Sequence, residues 1–427
     1  MRESVKELIH RQIQEINKEG FVAIFRKIAA FITLLFALPF VLLVRILRPI
    51  ITIRFGCLAY GRIGHLAGNT EYYIGKREMS KNTKKPIDFF CYNHNAANKQ
   101  LMKMWSRVLK MYAFICPLWK LNRMLPGGAA HEIDLAFNDY EHVSSLLAQT
   151  KKHIFFTKKE EEFGYKEIEK IGINRHTPFV CFHARDKHYL NTLRPGVNWE
   201  YHDFRDASVE NFLLAAQEMT KRGYYAVRMG AIVKEPLPSS DNAMIIDYAA
   251  RYRTDFMDVF LIDKCKFFIA TNAGIADLVD ILRKPVARTN VIQFYAEIPL
   301  LKEGDIFIPK KLWHRKEKRF LTFKELVKSD IWRGTYGEQF EKAGVDVMEN
   351  TSQEILDLAI EVDERLNGTW KETKEDEEFQ KRFWGILTDA GKLKGSPVSR
   401  IGAKFLRDNQ YLLNEQPCYI GVNGMVR

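Results

Sequence analysis

Two α/β domains of Rossmann-like architecture, preceded by a membrane-associating helix, are predicted for this chain on three observations. Between residues 179 and 282 short apolar runs alternate with helical periodicity, the pattern of βα units that build a parallel sheet through right-handed crossovers. A sparser alternation of the same kind fills residues 50–160. Ahead of both, Ile28 to Val44 is a run of 17 residues without a charge. At 427 residues the chain has room for two or three cores, and 46% apolar with 28% charged residues excludes global disorder.

The first element, residues 1–49, prefers lipid. Its uncharged run is at the lower limit of a spanning length, Pro39 is expected to interrupt it, and Lys27, Arg45 and Arg48 flank it. Insertion from one side of the membrane is therefore favoured over a full span. The run begins too far from Met1, and lacks a small-residue cleavage site after it, for a secretory signal. A buried helix of a soluble fold is the alternative. Basic residues beside the run are drawn to anionic lipid, which puts the rest of the chain on the cytoplasmic face of the membrane.

Residues 50–160 form the expected N-terminal domain. Ile50 to Phe55 reads as a strand from its β-branched residues. Gly56, Gly61 and Gly64 follow, suited to a tight loop that a ligand approaches closely, and then a helix. A second strand is expected over Ile87–Cys91 and a helix over Ala97–Tyr112, while Lys158 to Phe163 reads as a solvated connection. The second domain, residues 175–365, is expected to hold strands at 179–182, 225–229, 244–246 and 267–270, with helices at 209–222, 256–264 and 275–282. Beyond residue 330 the chain reads as mostly helical, with a capping box of Thr351 and Glu354. In the tail, 366–427, Lys371 to Arg382 is expected to be exposed. A helix starting at Ser396–Pro397, with Val398, Ile401, Phe405 and Leu406 on one face, is expected to pack back on the first domain. Six scattered cysteines without a CxxC pair or zinc spacing fit a reducing compartment. The formal charge of +12 suits nucleic acid, an anionic membrane surface or anionic ligands and does not by itself choose among them; nucleic acid is not among the expected partners.

Candidate site residues cluster at the carboxyl ends of the expected strands, where α/β sheets bind ligands. The apolar run from Thr177 stops on His183, Arg185 and Asp186, and a guanidinium there can grip a phosphate in a fork. In the stretch Phe267 to Asp277 a strand turns through small residues into a helix. Gly274 and Ile275 open the helix, and Thr271 and Asn272 supply hydrogen bonds at its dipole. Arg228 and Gly230 end another strand, and Asp247 and Tyr248 the next, with Asp247 suited to a ribose or base. Arg205 and Arg253 are weaker candidates. The P-loop, a clean dinucleotide fingerprint and the DxD pattern are all missing, so no metal is expected and arginines have to neutralise a diphosphate. His65 is the favoured base because an imidazole titrates near neutral pH, with Glu71 and then His94 behind it.

These residues resemble glycosyltransferases encoded in bacterial surface-polysaccharide loci, distant relatives of the HxR fucosyltransferase group. The matching stretches are Ile53–Ala67, Cys181–Asp186, Asp203–Asp206, Gly223–Gly230, Ile246–Ala249, Asp258–Ala270 and Asn272–Ile275. The resemblance implies a GT-B fold, two Rossmann-like domains facing a cleft, with the donor in the second domain and the acceptor toward the first. It also implies that Arg185 binds the donor pyrophosphate without a metal, and the Thr271–Ile275 turn is similar to the diphosphate-binding turn of heptosyltransferase-like enzymes. The fuller fucosyltransferase pattern beyond His183-x-Arg185 is missing, so GDP-fucose is not carried over. The expected function is transfer of a sugar from a nucleoside-diphosphate sugar, used as substrate with no cofactor, to a glycolipid or polysaccharide acceptor. The alternatives are a nucleotide-sugar epimerase of the same architecture and a non-catalytic membrane scaffold.

Overall fold

A computed structural model describes residues 20–81, 85–135, 143–193, 196–239, 241–393 and 397–414. Helix α1 (Phe21–Ile46) opens the described chain and runs unbroken through Pro39. The expected interruption does not occur: an interior proline removes one N–H bond and crowds the preceding turn, but several apolar helix-forming turns on either side carry the helix through. Its 26 residues reach about 39 Å at 1.5 Å per residue, long and apolar enough to cross a membrane by length and composition. Strand β1 (Ile53–Cys57) is followed by helix α2 (Ile63–Met79), β2 (Ile87–Cys91), α3 (Lys99–Val108), β3 (Met111–Tyr112) and α4 (Ile115–Met124). The charged run at residue 158 is the first turn of helix α5 (Lys158–Lys170), stabilised by a capping box of Thr157 and Glu160, and not a loop.

From there the order is β4 (Phe179–His183), α6 (Leu213–Lys221), β5 (Tyr225–Arg228), β6 (Ile245–Ile246), α7 (Asp255–Lys264), β7 (Phe268–Ala270), α8 (Gly274–Ile281) and β8 (Val286–Val291). Strands β4 to β7 lie within one residue of expectation, because each is a short apolar run between helical segments. Next come β9 (Ile306–Pro309), β10 (Lys311–His314), β11 (Arg319–Phe320), β12 (Val345–Met348), α9 (Ser352–Leu366), α10 (Lys374–Asp389), β13 (Arg400–Ile401) and α11 (Ala403–Asp408).

Two compact units account for the contacts. Unit one comprises the described residues up to Tyr60 with Ser80–Asn95 and Trp105 onward to residue 135. Its sheet is parallel, in the order β1-β2-β3, with Ile53 opposite Ile87. Helix α1 lays Ala37 and Val41 against Leu121 of α4, and Arg45 donates to Asn122 Oδ1 at 3.0 Å and to the Pro126 carbonyl at 2.6 Å. The opposite side of α1 is bare: Phe21, Phe25, Phe31, Phe36 and Phe40 are 60 to 80% exposed. Against the expectation of six reduced cysteines, Cys91 and Cys116 form a disulfide, because α4 brings Cys116 over the end of β2 with Cα atoms 4.7 Å apart.

Unit two holds residues 61–79 and 96–104, which fall within the stretch 50–160, together with everything described from residue 143 on. Its sheet has seven parallel strands in the order β13-β9-β8-β7-β4-β5-β6, with a small antiparallel sheet, β11-β10-β12, beside it. The tail joins the large sheet. Ser396 lies outside the described residues, and in place of a helix from Pro397, Arg400 and Ile401 form β13 against Ile306 and Phe307 of β9, since both ends of that short strand are satisfied by the β9 backbone. Phe405 and Leu406 then enter the same core as Phe383 and Leu387 of α10, and the charged stretch from Lys371 to Arg382 is mostly exposed, as expected, with Asp376, Phe379 and Gln380 buried.

Candidate anion site at the sheet's switch point

The chain walks outward through β4, β5 and β6, then returns beside β4 to lay down β7, β8 and β9 on the other side. Between β4 and β7 the direction of travel reverses, and it is outside the carboxyl ends of the strands at such a switch point that α/β sheets bind ligands. The loops leaving these two strands are joined: Thr271 N–H donates to the His183 carbonyl at 3.2 Å, and the Arg185 N–H donates to Thr271 Oγ1 at 2.9 Å. The guanidinium of Arg185 pairs with Asp206 and donates to the His202 carbonyl at 3.3 Å. Both contacts use Nη1, so Nε and Nη2 remain as donors. From the other side Arg205 Nη2 donates to both the backbone oxygen and Oδ1 of Asn272, each at 3.0 Å. Lys310, just past β9, reaches the Asp206 carbonyl at 2.6 Å.

So many cations close together disfavour one another's charge. Burial first, then Arg228 and Arg185, push His183 down to about 3, and burial with Arg205 and Arg185 pushes His202 down to about 4. Both imidazoles are neutral at pH 7. Burial and Arg185 lower Arg205 to about 10, and burial lowers Lys310 to about 8, Arg185 adding to the effect. Burial raises Asp206 to about 6 in spite of its arginine partner. Asp277, in the first turn of α8, rises to about 7 through burial and the charge of Asp280. Of the twelve buried side-chain atoms without a hydrogen-bond partner among the described residues, five fall here: His183 Nδ1, Trp199 Nε1, His202 Nδ1, Asp203 Oδ1 and Arg205 Nε. Native proteins leave few such atoms, and a cluster of them calls for an explanation.

Not every expected residue faces this site. Arg228 and Asp247 are both buried and paired at 3.4 Å. Asp247 also accepts from the Leu237 and Ala250 amides, so the pair pins the 230–237 loop in place of a phosphate and a ribose. Gly230 is buried against Val233, and Ile275 is a core residue. Tyr248 is fully buried, its hydroxyl donating to Asp258 Oδ1 at 2.8 Å and accepting from Thr254 N–H at 2.9 Å, which leaves nothing for a ligand. Arg253 is taken up by the same Asp258. Gly274 is needed for a helix crossing: a Cβ on Gly64 would lie 2.7 Å from its Cα. The glycine-rich segment thus admits neighbouring protein, Gly56 fitting against Phe90 and Ile133 and Gly64 against Gly274. Glu71 is buried between Arg283 at 2.6 Å and His153 at 3.0 Å, a structural clamp and not a base. His65 is exposed on the first turn of α2, its Nδ1 3.4 Å from Asn69 Oδ1. His94 packs edge-on against Tyr92 in unit one.

The residues the sequence did not single out are His202, Asp206 and Lys310, and Arg205 ranked only as a weak candidate. Three of these four sit on or beside a short 3-10 turn, Glu200–Arg205, that has no periodicity to announce it. The run Ile306–Pro309 ahead of Lys310 carries the strand-end signal that marked Arg185. Among the described residues no group of three or more His, Cys, Asp or Glu side chains is arranged to hold a metal ion.

No family model matches the chain, and none of the curated proteins matches it. Among solved structures it is similar to the ADP-heptose lipopolysaccharide heptosyltransferase II of E. coli, at 12% identity over 55% of this chain and 84% of that one, TM-score 0.31. It is similar as well to a family 9 glycosyl transferase of Veillonella parvula, at 10% identity over 56% and 80%, TM-score 0.28. A third is the iron-containing dodecameric glycosyltransferase TibC of enterotoxigenic E. coli, at 11% identity over 56% and 58%, TM-score 0.31. At these identities and scores function has to be argued from the residues at the strand ends.

Proposed function

We propose that the chain is a GT-B glycosyltransferase, taking the sugar of a nucleoside-diphosphate sugar and attaching it to a hydroxyl of a lipid-linked or polysaccharide acceptor in bacterial surface-glycan assembly. One observation carries this reading: Arg185, Arg205 and Lys310 converge with unpartnered polar atoms at the β4/β7 switch point. In the transfer the bond from the anomeric carbon to the diphosphate oxygen breaks, a bond to the acceptor oxygen forms, and the hydroxyl proton passes to a base. Negative charge builds on the departing diphosphate, and fixed cations aimed at it lower the barrier. Arg185 and Arg205 supply that charge without a metal. His65, exposed and with its ring open to solvent, is the proposed base. The bare apolar side of α1 supports attachment to a membrane, and the proposed side is its cytoplasmic face, where a lipid-linked acceptor is within reach.

The test is a panel of nucleoside-diphosphate sugars, measured for binding and for slow hydrolysis, with and without Mg²⁺. Binding of at least one donor without Mg²⁺, lost in Arg185→Ala, is the expected result. Donor binding that is unaffected by Arg185→Ala, or that is wholly dependent on Mg²⁺, overturns the assignment.

A further inference from the structure

Beside the cation cluster lies a group of aromatic rings that the transfer reaction, as described, does not use. The Tyr201 ring is centred 4.1 Å from His202 and 5.6 Å from Tyr336. His202 and Tyr336 are nearly parallel, with an angle of 16° between their planes. Trp199 packs 6.0 Å from Tyr201 and carries Arg62 over its face at 5.5 Å. The group is joined to the proposed phosphate clamp directly, because the carbonyl of His202 accepts from Arg185.

Three features point to a planar, partly polar ligand. Tyr336 is 53% exposed, although aromatic surface of this size is usually buried where a protein can bury it. Trp199 Nε1 and His202 Nδ1 are buried without partners, and Trp199 is only 6% exposed. His202 is held neutral, so the ring can stack without adding to the surrounding positive charge. A heteroaromatic base offers a flat π-face together with ring-edge donors and acceptors, which is what such a surface can satisfy.

We propose that Tyr201, His202 and Tyr336 form the ledge on which the nucleobase of a nucleoside diphosphate stacks, with Trp199 behind it. This rests on the diphosphate reading of Arg185 and Arg205. The ledge binds the part of the ligand that inorganic pyrophosphate lacks, so the two probes separate its contribution from that of the clamp.

The experiment is calorimetric titration of the full chain with pyrophosphate, ADP, UDP and GDP, for wild type, Tyr336→Ala, Tyr201→Ala and Tyr336→Phe. Each alanine variant is expected to weaken the best nucleoside diphosphate about 5-fold or more, the effect of losing one stacked base, and to leave pyrophosphate unchanged. Tyr336→Phe keeps the ring, so it should bind as wild type does and guards against a folding defect. Equal weakening of pyrophosphate and nucleoside diphosphate overturns the ledge, as does an alanine variant with unchanged nucleoside diphosphate affinity. Failure of wild type to bind pyrophosphate at all overturns the diphosphate reading itself.

Discussion

Replacing Gly64 by alanine tests the helix crossing that sets the start of α8. The new Cβ would lie 2.3 Å from Asp277 Oδ2, 2.7 Å from Gly274 Cα and 3.2 Å from the Gly274 carbonyl oxygen. A carboxylate can swing aside, but the Gly274 contact is with backbone. Carbon atoms pack best at roughly 3.5–4.0 Å, so α2 and α8 have to part by about 1 Å. Overpacking of this kind costs about 1–3 kcal/mol, and the better helix propensity of alanine returns up to about 1 kcal/mol. The net loss is then roughly 1–2 kcal/mol. Gly385, in α10, is the internal control, since a Cβ there meets nothing within 4 Å. Gly385→Ala should be stabilising by up to about 1 kcal/mol. Urea unfolding followed by circular dichroism reads both. Pyrophosphate titration should show weaker binding for Gly64→Ala alone, because Gly274 lies three residues past Thr271. If Gly64→Ala is as stable as Gly385→Ala, the crossing is not as close as described and the reasoning fails.

Arg185→Lys keeps the charge but not the fork, and should raise the Kd for pyrophosphate about tenfold, equivalent to about 1.4 kcal/mol; titration showing wild-type affinity would contradict it. Glu71→Gln leaves Arg283 without its buried carboxylate and should lower stability by roughly 3 kcal/mol with pyrophosphate affinity intact, whereas lost turnover at unchanged stability would restore Glu71 as a base. His183 sits near 3 in the folded chain and near 6.5 when unfolded, so the folded state binds fewer protons between those values. Its contribution is complete above about 6.5 and declines by about 1.4 kcal/mol per pH unit as pH falls toward 3; urea midpoints for His183→Asn should lack that part of the acid slope. Lys310, at about 8, loses its charge as pH rises through that value, so pyrophosphate affinity should fall above pH 8 and binding there should take up a proton, seen as a dependence of the calorimetric heat on buffer ionisation enthalpy.

Strands β4, β5 and β7 were legible because each is a short apolar run with both faces covered, and Arg185 was legible because it ends one of them. Strand β8 was not. Its sequence, Val286-Ala-Arg-Thr-Asn-Val291, is assigned no element, yet all six residues are buried. Arg288 is accommodated by Asp280 at 2.6 Å and Asp305 at 3.4 Å, and Lys302 joins the same carboxylates. Periodicity treats a charge as a mark of solvent, and an internal ion network defeats it. A related effect hid the buried stripe of α10, where Phe379, Phe383, Trp384 and Leu387 lie inside or just beyond a charge-rich stretch. The glycines misled in a different way, for sequence shows that a close approach is allowed without showing to what. His202, Arg205 and Asp206 reach the site from a 3-10 turn, where neither period nor cap gives a direction.

The charge balance of the site explains why its histidines are neutral and its arginines held. Arg228 and Arg185 act on His183, and Arg205, Arg185 and Arg62 on His202, so a proton on either ring adds a repulsion to the cost of burial. Asp206 is the internal counter-ion, engaging Nη1 of Arg185 and, through its carbonyl, Lys310. It is a weak anion for the purpose, since burial raises it to about 6 and a fall in pH removes its charge. A diphosphate brings more charge than Asp206 and more acceptors, and it can use the Nε and Nη2 donors of Arg185 without displacing the carboxylate. One carboxylate therefore sets the orientation of the fork in advance, and the donors it leaves open are the ones an anionic ligand would use.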